Sequence, residues 1–167
     1  TKGLKNDSIG LSDLTNRNTK TISKPVINSF YIKNKNKFLE RQLDYSTKKY
    51  SLTTIEDSDE RKPRFEITKD ENNYYIKIKD KHYYRNSTTK APSEINIDKY
   101  LSVQGNKVIF VKEKEDRTSF NLIQYKNTFI IKNSFDNLAL TVENSGNITM
   151  SNLVSYENPH DNQLFLL

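Results

Sequence analysis

The sequence predicts an all-β protein made of three copies of one four-stranded unit. Two sets of segments recur along the chain. The first set aligns without gaps and ends in Ile–Lys each time: Phe30–Lys33, Tyr74–Lys77 and Phe129–Lys132. The second set is a Phe followed two positions later by an aliphatic residue, at Phe65, Phe120 and Phe165. Residues two apart point to the same face of a strand, and a regular recurrence indicates an internal repeat.

The spacing of these positions locates one insertion. From the shared Ile to the shared Phe the intervals are 33, 44 and 34 residues, so the middle unit is longer by about ten. Tyr100–Val103 resembles Ala139–Val142, and this places the surplus before Tyr100, near residues 81–98. Its Asn, Ser, Thr, Pro and Lys content predicts a loop. The units then cover residues 26–67, 68–123 and 124–167.

Turn residues separate the predicted strands within each unit. The third unit shows four strands, at Thr128–Lys132, Leu138–Val142, Asn147–Ser151 and Gln163–Leu167. Glu143–Gly146 and Gln104–Asn106 contain residues that tolerate a positive φ, as hairpin turns require. Further turns are predicted at Asn34–Asn36 and Asp70–Asn73.

Three such units can close into a small barrel capped by three hairpins, which removes unpaired sheet edges. The pattern resembles the β-trefoil over Val26–Leu167. We therefore expect an all-β, β-trefoil fold preceded by an extended basic N-terminal arm, residues 1–25. In addition, Asn162–Gln163–Leu164–Phe165 resembles the Gln-x-Trp signature of the ricin B-type lectin-like family, with Phe in place of Trp.

That resemblance implies a sugar pocket in the third unit. Pockets of the family use an Asp on the second strand, an aromatic ring about fifteen residues later and an Asn–Gln pair near the last strand. The matching positions here are Thr141, Tyr156, Asn162 and Gln163. Thr141 departs from the pattern, because a hydroxyl replaces the carboxylate that accepts from sugar hydroxyls. In the alternative interpretation Gln163 only bonds backbone in the hairpin cap and the preceding segment is a plain turn.

The N-terminal arm predicts a second kind of interaction. The formal charge is +7 through Ile55 and −1 from Glu56 onward, so the basic excess belongs to the arm and the first unit. Candidate docking residues are Lys2, Lys5, Ile9, Leu11, Leu14, Arg17, Lys20 and Lys24. The arm either packs on its own barrel or docks on a partner, such as a protein assembly or RNA.

Two other segments have a functional and a plain interpretation. Glu56–Glu60 contains four carboxylates, but it has no Gly for the bend of a calcium loop, and a solvated loop is favoured. His82–Arg85 places aromatic rings beside a cation. Such rings can stack on a sugar or a base, or they can cover the core.

The composition gives no sign of a catalyst, a cofactor or a metal centre. The chain has no Cys, two His and four Gly, so histidine-rich sites, thiolate sites and phosphate-cradling loops are not indicated. No apolar run is long enough to cross a bilayer.

We expect a non-catalytic, glycan-binding module without membrane insertion; the alternative is an interaction protein that docks through its arm. The family resemblance favours a secreted or cell-surface location, as for related domains on the spore coat or extrusion apparatus of spore-forming parasites.

Overall fold

A computed structural model describes residues 27–56, 63–85, 88 and 92–167, except for the side chains of residues 27–28, 81–85 and 92–95. This part of the chain is all-β and has no α-helix. Its strands are β1 (Ile27–Phe30), β2 (Lys33–Asn34), β3 (Lys37–Asp44), β4 (Lys49–Glu56), β5 (Arg64–Asp70), β6 (Asn73–Arg85), β7 (Pro92–Gln104), β8 (Lys107–Val111), β9 (Phe120–Tyr125), β10 (Thr128–Asn133), β11 (Leu138–Val142) and β12 (Ile148–Asn152). Short 3₁₀ helices lie at Lys114–Asp116 and Asp161–Gln163. The all-β prediction is therefore confirmed.

The strands form one antiparallel sheet. Its order is β12-β11-β10-β9-β6-β7-β8-β4-β3-β2, and β5 pairs with both β1 and β6. Two further bridges involve the last residues of the chain: Phe165 pairs with Phe129 in β10, and Leu166 pairs with Lys33 in β2. The final segment thus joins two strands that are far apart in the sheet order.

The recurring apolar positions all lie in the core. Ile32, Ile76 and Ile131 are at most 1% exposed. The recurring Phe residues are fully buried, and all six belong to one hydrophobic cluster: Phe65, Phe120 and Phe165 join the three Ile residues there. The sequence repeat therefore corresponds to equivalent burial, both within strands and at Ile32 and Phe165, which lie outside them.

Three hairpins, β3–β4, β7–β8 and β11–β12, contact one another. Ser51 of β4 pairs with Ile109 of β8. The Met150 N–H of β12 donates to the Asn106 carbonyl beside β8 over 3.0 Å. The Thr54 hydroxyl of β4 donates to the carbonyl of Gly146, in the β11–β12 turn, over 2.6 Å. Each hairpin is thus linked to the other two.

The predicted turns are present at four places. Lys35 has φ 54°, Glu71 has φ 56°, Gly105 has φ 66° and Gly146 has φ 90°. Each lies between two paired antiparallel strands. A left-handed residue matches the right-handed twist of the strands it joins, which explains why these turns recur at hairpin ends.

The prediction of a loop near residues 81–98 is wrong. The ladder between β6 and β7 runs without a break from the Lys77–Tyr100 pair to the Arg85–Pro92 pair. The inserted residues therefore lengthen a hairpin. Composition misled the prediction because each added cross-strand pair extends an existing ladder, and the aromatic residues of β6 favour strands.

Several sequence predictions lie outside the described residues. These include the N-terminal arm with all its candidate docking residues, and the acidic residues Asp57–Glu60. The side chains of His82–Arg85 also belong to this group. Within the described ranges no helix is long and apolar enough to cross a membrane.

Candidate functional site

The predicted site is organised around a hydrogen bond between Thr141 and Gln163. Thr141 lies in β11, and Gln163 ends the second 3₁₀ helix. The Gln163 amide Nε2 donates to the Thr141 hydroxyl over 3.0 Å. Both side chains are buried; Gln163 is only 2% exposed. The structure thus brings together two of the four predicted residues, but it places them beneath the surface.

The same amide also holds the edge of the β11–β12 hairpin. Its Nε2 lies 3.4 Å from the Ser151 carbonyl oxygen and 3.2 Å from that of Asn152. The hydroxyls of Thr141 and Ser151 are 2.6 Å apart. This is the geometry of the structural alternative, in which the Gln bonds backbone in the hairpin. Its Oε1 atom is buried and has no hydrogen-bond partner among the described residues.

Asn162 lies beside this network and is partly buried. Its Oδ1 atom also lacks a partner in the described part of the chain. From the other side, the Asn34 amide of β2 donates to the carbonyl oxygens of Asp161 and Leu164, over 2.9 and 2.8 Å. The backbone that carries Asn162 and Gln163 is therefore fixed from both directions.

Tyr156 differs from the other three residues because its ring is 52% exposed. Its loop is nevertheless ordered by local bonds. The Ser155 hydroxyl accepts from the N–H groups of Glu157 and Asn158, each over 3.1 Å. Leu153 and Asn137 exchange two hydrogen bonds at the start of the loop, of 2.9 and 2.8 Å. The loop therefore presents an exposed aromatic ring on an ordered backbone. The polar side chains of Thr141 and Gln163, by contrast, lie in the interior.

A second group of residues was not predicted from the sequence. The Arg117 guanidinium lies 3.5 Å from the centre of the Tyr75 ring, and the nearby Phe135 ring is 87% exposed. These residues line one groove together with Asn73 and Asn133. Only the segment Asn133–Asn137 could have indicated this group from the sequence. Its Phe135 lies among turn-forming Asn, Ser and Asp residues, where an apolar side chain is unusual.

A partly buried charge cluster lies apart from both groups. Arg41 Nη1 is 3.2 Å from Glu40 Oε1 and 2.7 Å from Asp80 Oδ2. Burial raises the pKa of the Glu40 carboxyl above its usual range, although the bonds and charge of Arg41 oppose the shift. The Arg41 Nε–H is buried without an acceptor in the described structure. This cluster joins β3 to β6.

Groups that could ligate a metal do not converge in the described part of the protein. No set of three or more His, Asp or Glu side chains there is close enough to hold an ion. His160, which precedes the second 3₁₀ helix, is exposed.

Comparison of the chain with models of known protein families and with curated proteins finds no match.

Proposed function

We propose that this protein is a non-catalytic carbohydrate-binding module on a β-trefoil scaffold. Three observations support the scaffold: the equivalent burial of the repeated Ile and Phe residues, the mutual contacts of three hairpins, and the Phe129–Phe165 and Lys33–Leu166 bridges. Through the final segment the bridges connect β2, at one end of the sheet order, to β10, so this end of the sheet does not remain unpaired.

The observation that carries the binding proposal is the exposed ring of Tyr156 on a hydrogen-bonded loop. An aromatic face can stack on the apolar face of a pyranose, and a loop that is already ordered loses little entropy on binding. The ring is also the platform position of the ricin B-type resemblance.

The other predicted residues have different roles in this proposal. Thr141 and Gln163 act as positioning residues, since their hydrogen bonds hold the final segment against the β11–β12 hairpin that precedes the Tyr156 loop. Asn162 follows the exposed Asp161 and is partly buried, with its Oδ1 atom directed away from solvent. A secreted or cell-surface location would give such a site access to glycans.

A glycan array tests the proposal. The wild-type protein is expected to retain a subset of immobilised glycans, and Tyr156→Ala is expected to lose it. Tyr45→Ala is the matched control, because Tyr45 is 73% exposed at a different turn. Retention of no glycan by the wild type, or equal losses in both variants, would refute the proposal.

The charge distribution favours one alternative, docking through the basic arm. The +7 excess through Ile55 is suited to an acidic protein surface or RNA. Binding by this route should weaken steeply as salt rises from 50 to about 200 mM, whereas stacking on a neutral glycan should change little. Removal of residues 1–25 separates the two, because it takes away part of the basic excess and should weaken only the docking activity.

A further inference from the structure

A groove of about 360 Å³ lies away from Tyr156, between two connecting segments. One wall is the segment that follows β8 and includes Lys114 and Arg117. The other wall is the turn between β10 and β11, with Asn133 and Phe135. Asn73 and Tyr75, at the start of β6, complete the lining.

The first wall is anchored to β7. The Ser102 hydroxyl donates to the Asp116 carbonyl over 2.8 Å, and the Thr118 N–H donates to the Leu101 carbonyl over 3.1 Å. The Thr118 hydroxyl in turn accepts from the Val103 N–H over 2.8 Å. The backbone on either side of Arg117 is therefore fixed before any ligand arrives.

The second wall displays an aromatic ring on an equally ordered turn. The Phe135 N–H donates to Asn133 Oδ1 over 3.1 Å. Lys132 Nζ donates to the carbonyl oxygens of Asn133 and Asp136, over 2.7 and 2.6 Å. Despite this ordering, the Phe135 ring is almost wholly exposed. An exposed aromatic ring on an ordered turn is available for stacking on a ligand.

The cation in the groove is held by aromatic rings. The Arg117 guanidinium lies 3.5 Å from the Tyr75 ring centre and 5.9 Å from that of Tyr100. Among the described residues no carboxylate forms an ion pair with it. Lys114 and Glu115 also line the groove, so with Arg117 its formal charge is +1. Stacking leaves the edge of a planar guanidinium available for a bidentate carboxylate.

Small polar groups lie between the two walls. The hydroxyls of Ser119 and Ser134 are 2.7 Å apart, and Ser134 lies 3.4 Å from Asn73 Oδ1. The Ser134 N–H donates to the Ser119 carbonyl over 3.0 Å. Hydroxyl and amide groups of this kind suit the hydroxyls of a sugar better than an apolar ligand.

We propose that this groove binds a sugar residue that bears a carboxylate, of the uronic acid type. Phe135 stacks on its apolar face, Arg117 pairs with its carboxylate, and Asn73 with Asn133 binds its hydroxyls. The proposal deepens the carbohydrate-binding function and rests on it. It adds a second binding place, which is selective for acidic sugars.

Titration calorimetry with two defined tetrasaccharides tests the proposal on the full chain. One is alternating glucuronic acid and N-acetylglucosamine; the other is the neutral N-acetylglucosamine tetramer. The wild type is expected to bind the acidic probe at least tenfold more tightly. Phe135→Ala, at an exposed position, and Arg117→Lys, which keeps the charge without the planar fork, should each weaken it about tenfold.

Tyr45→Ala is the control and should leave the acidic probe bound as in the wild type, because Tyr45 is exposed at a different turn. Equal affinity for both probes, or unchanged binding by Phe135→Ala, would refute the proposal that this groove binds an acidic sugar. If Tyr156→Ala alone abolishes binding, the proposed function survives and this inference fails. Retention of an acidic peptide in place of the sugar, with no glycan bound, would overturn both.

Discussion

Gln163 and Thr141 are joined by a 3.0 Å hydrogen bond between two buried side chains, 22 positions apart. The bond links the second 3₁₀ helix to β11. The Gln163 amide also lies within hydrogen-bond distance of two carbonyl oxygens of β12. A polar contact so far from water mainly stabilises the fold, because an unpaired partner left in the interior is costly.

Gln163→Ala should therefore lower the free energy of unfolding by about 1–3 kcal/mol, because the Thr141 hydroxyl and two carbonyl oxygens lose a donor. Urea denaturation measures this. The control is Gln42→Ala, at an exposed position of β3, which should stay within about 0.5 kcal/mol of the wild type. Equal stabilities of the two variants would show that the Gln163 bonds contribute nothing.

The three repeated Phe residues give a test of the repeat itself. Phe65→Ala, Phe120→Ala and Phe165→Ala should each cost about 3–5 kcal/mol, since each removes a fully buried ring. The exposed Phe135→Ala serves as control and should cost under about 0.5 kcal/mol. A small loss at one of the buried positions would mean that the three places are not equivalent.

Gly146 and Gly105 both have positive φ, but their surroundings differ. A Cβ at Gly146 would lie 3.0 Å from the Thr54 hydroxyl oxygen, whereas at Gly105 it would meet nothing within 4 Å. Gly105→Ala should cost about 1 kcal/mol of backbone strain. Gly146→Ala should cost about 1 kcal/mol more, because it also displaces the bond from Thr54.

A double-mutant cycle separates these two costs. When Thr54→Ala is combined with Gly146→Ala, the crowding is relieved and the two losses should not add. Additive thermal denaturation data would indicate that Thr54 moves away without cost.

Glu40 predicts a pH dependence of stability. Burial raises the pKa of its carboxyl in the folded protein, so the folded state holds the proton more tightly than the unfolded state. The contribution of Glu40 to the free energy of unfolding is therefore fully present below the pKa of the unfolded state. It is lost as the pH rises through the higher pKa of the folded state.

Glu40→Gln keeps an oxygen for Arg41 and removes the titration. The stability of this variant relative to the wild type should therefore increase as the pH is raised from 4 to 7, measured by urea denaturation across that range. Asp44, whose pKa is lowered by its bonds to Ser46, allows a control in the opposite sense: Asp44→Asn should lose relative stability as the pH rises towards the ordinary value of 3.8, below the range used for Glu40. A pH-independent difference for Glu40→Gln would contradict the argument.

Sequence patterns predicted those features that depend on local chemistry. The turns at Gly105 and Gly146 and the burial of Phe165 follow from residue type and strand periodicity, which act over a few positions. The β6–β7 extension was missed, because pairing Lys81 with Asn96 depends on a ladder already begun by Lys77 and Tyr100.

The candidate sites divide in the same way. Tyr156 and Gln163 lie close together in sequence, so the resemblance to a family motif was enough to select them as candidates, although the inward direction of Gln163 had to come from the structure. Tyr75, Arg117 and Phe135 come from three separate segments. Their meeting depends on how β6, β9 and β10 pair, which no local pattern encodes.

The amide of Asn34 holds the carbonyl oxygen of Leu164, 130 positions further along the chain. During synthesis, β2 and β3 leave the ribosome long before the segment that anchors them exists. Apolar side chains such as Ile32 and Leu39, which lie in the core of the finished fold, are therefore synthesised well before this late partner. Single domains dominated by such distant pairings fold in about milliseconds to seconds, and we expect the same of this protein.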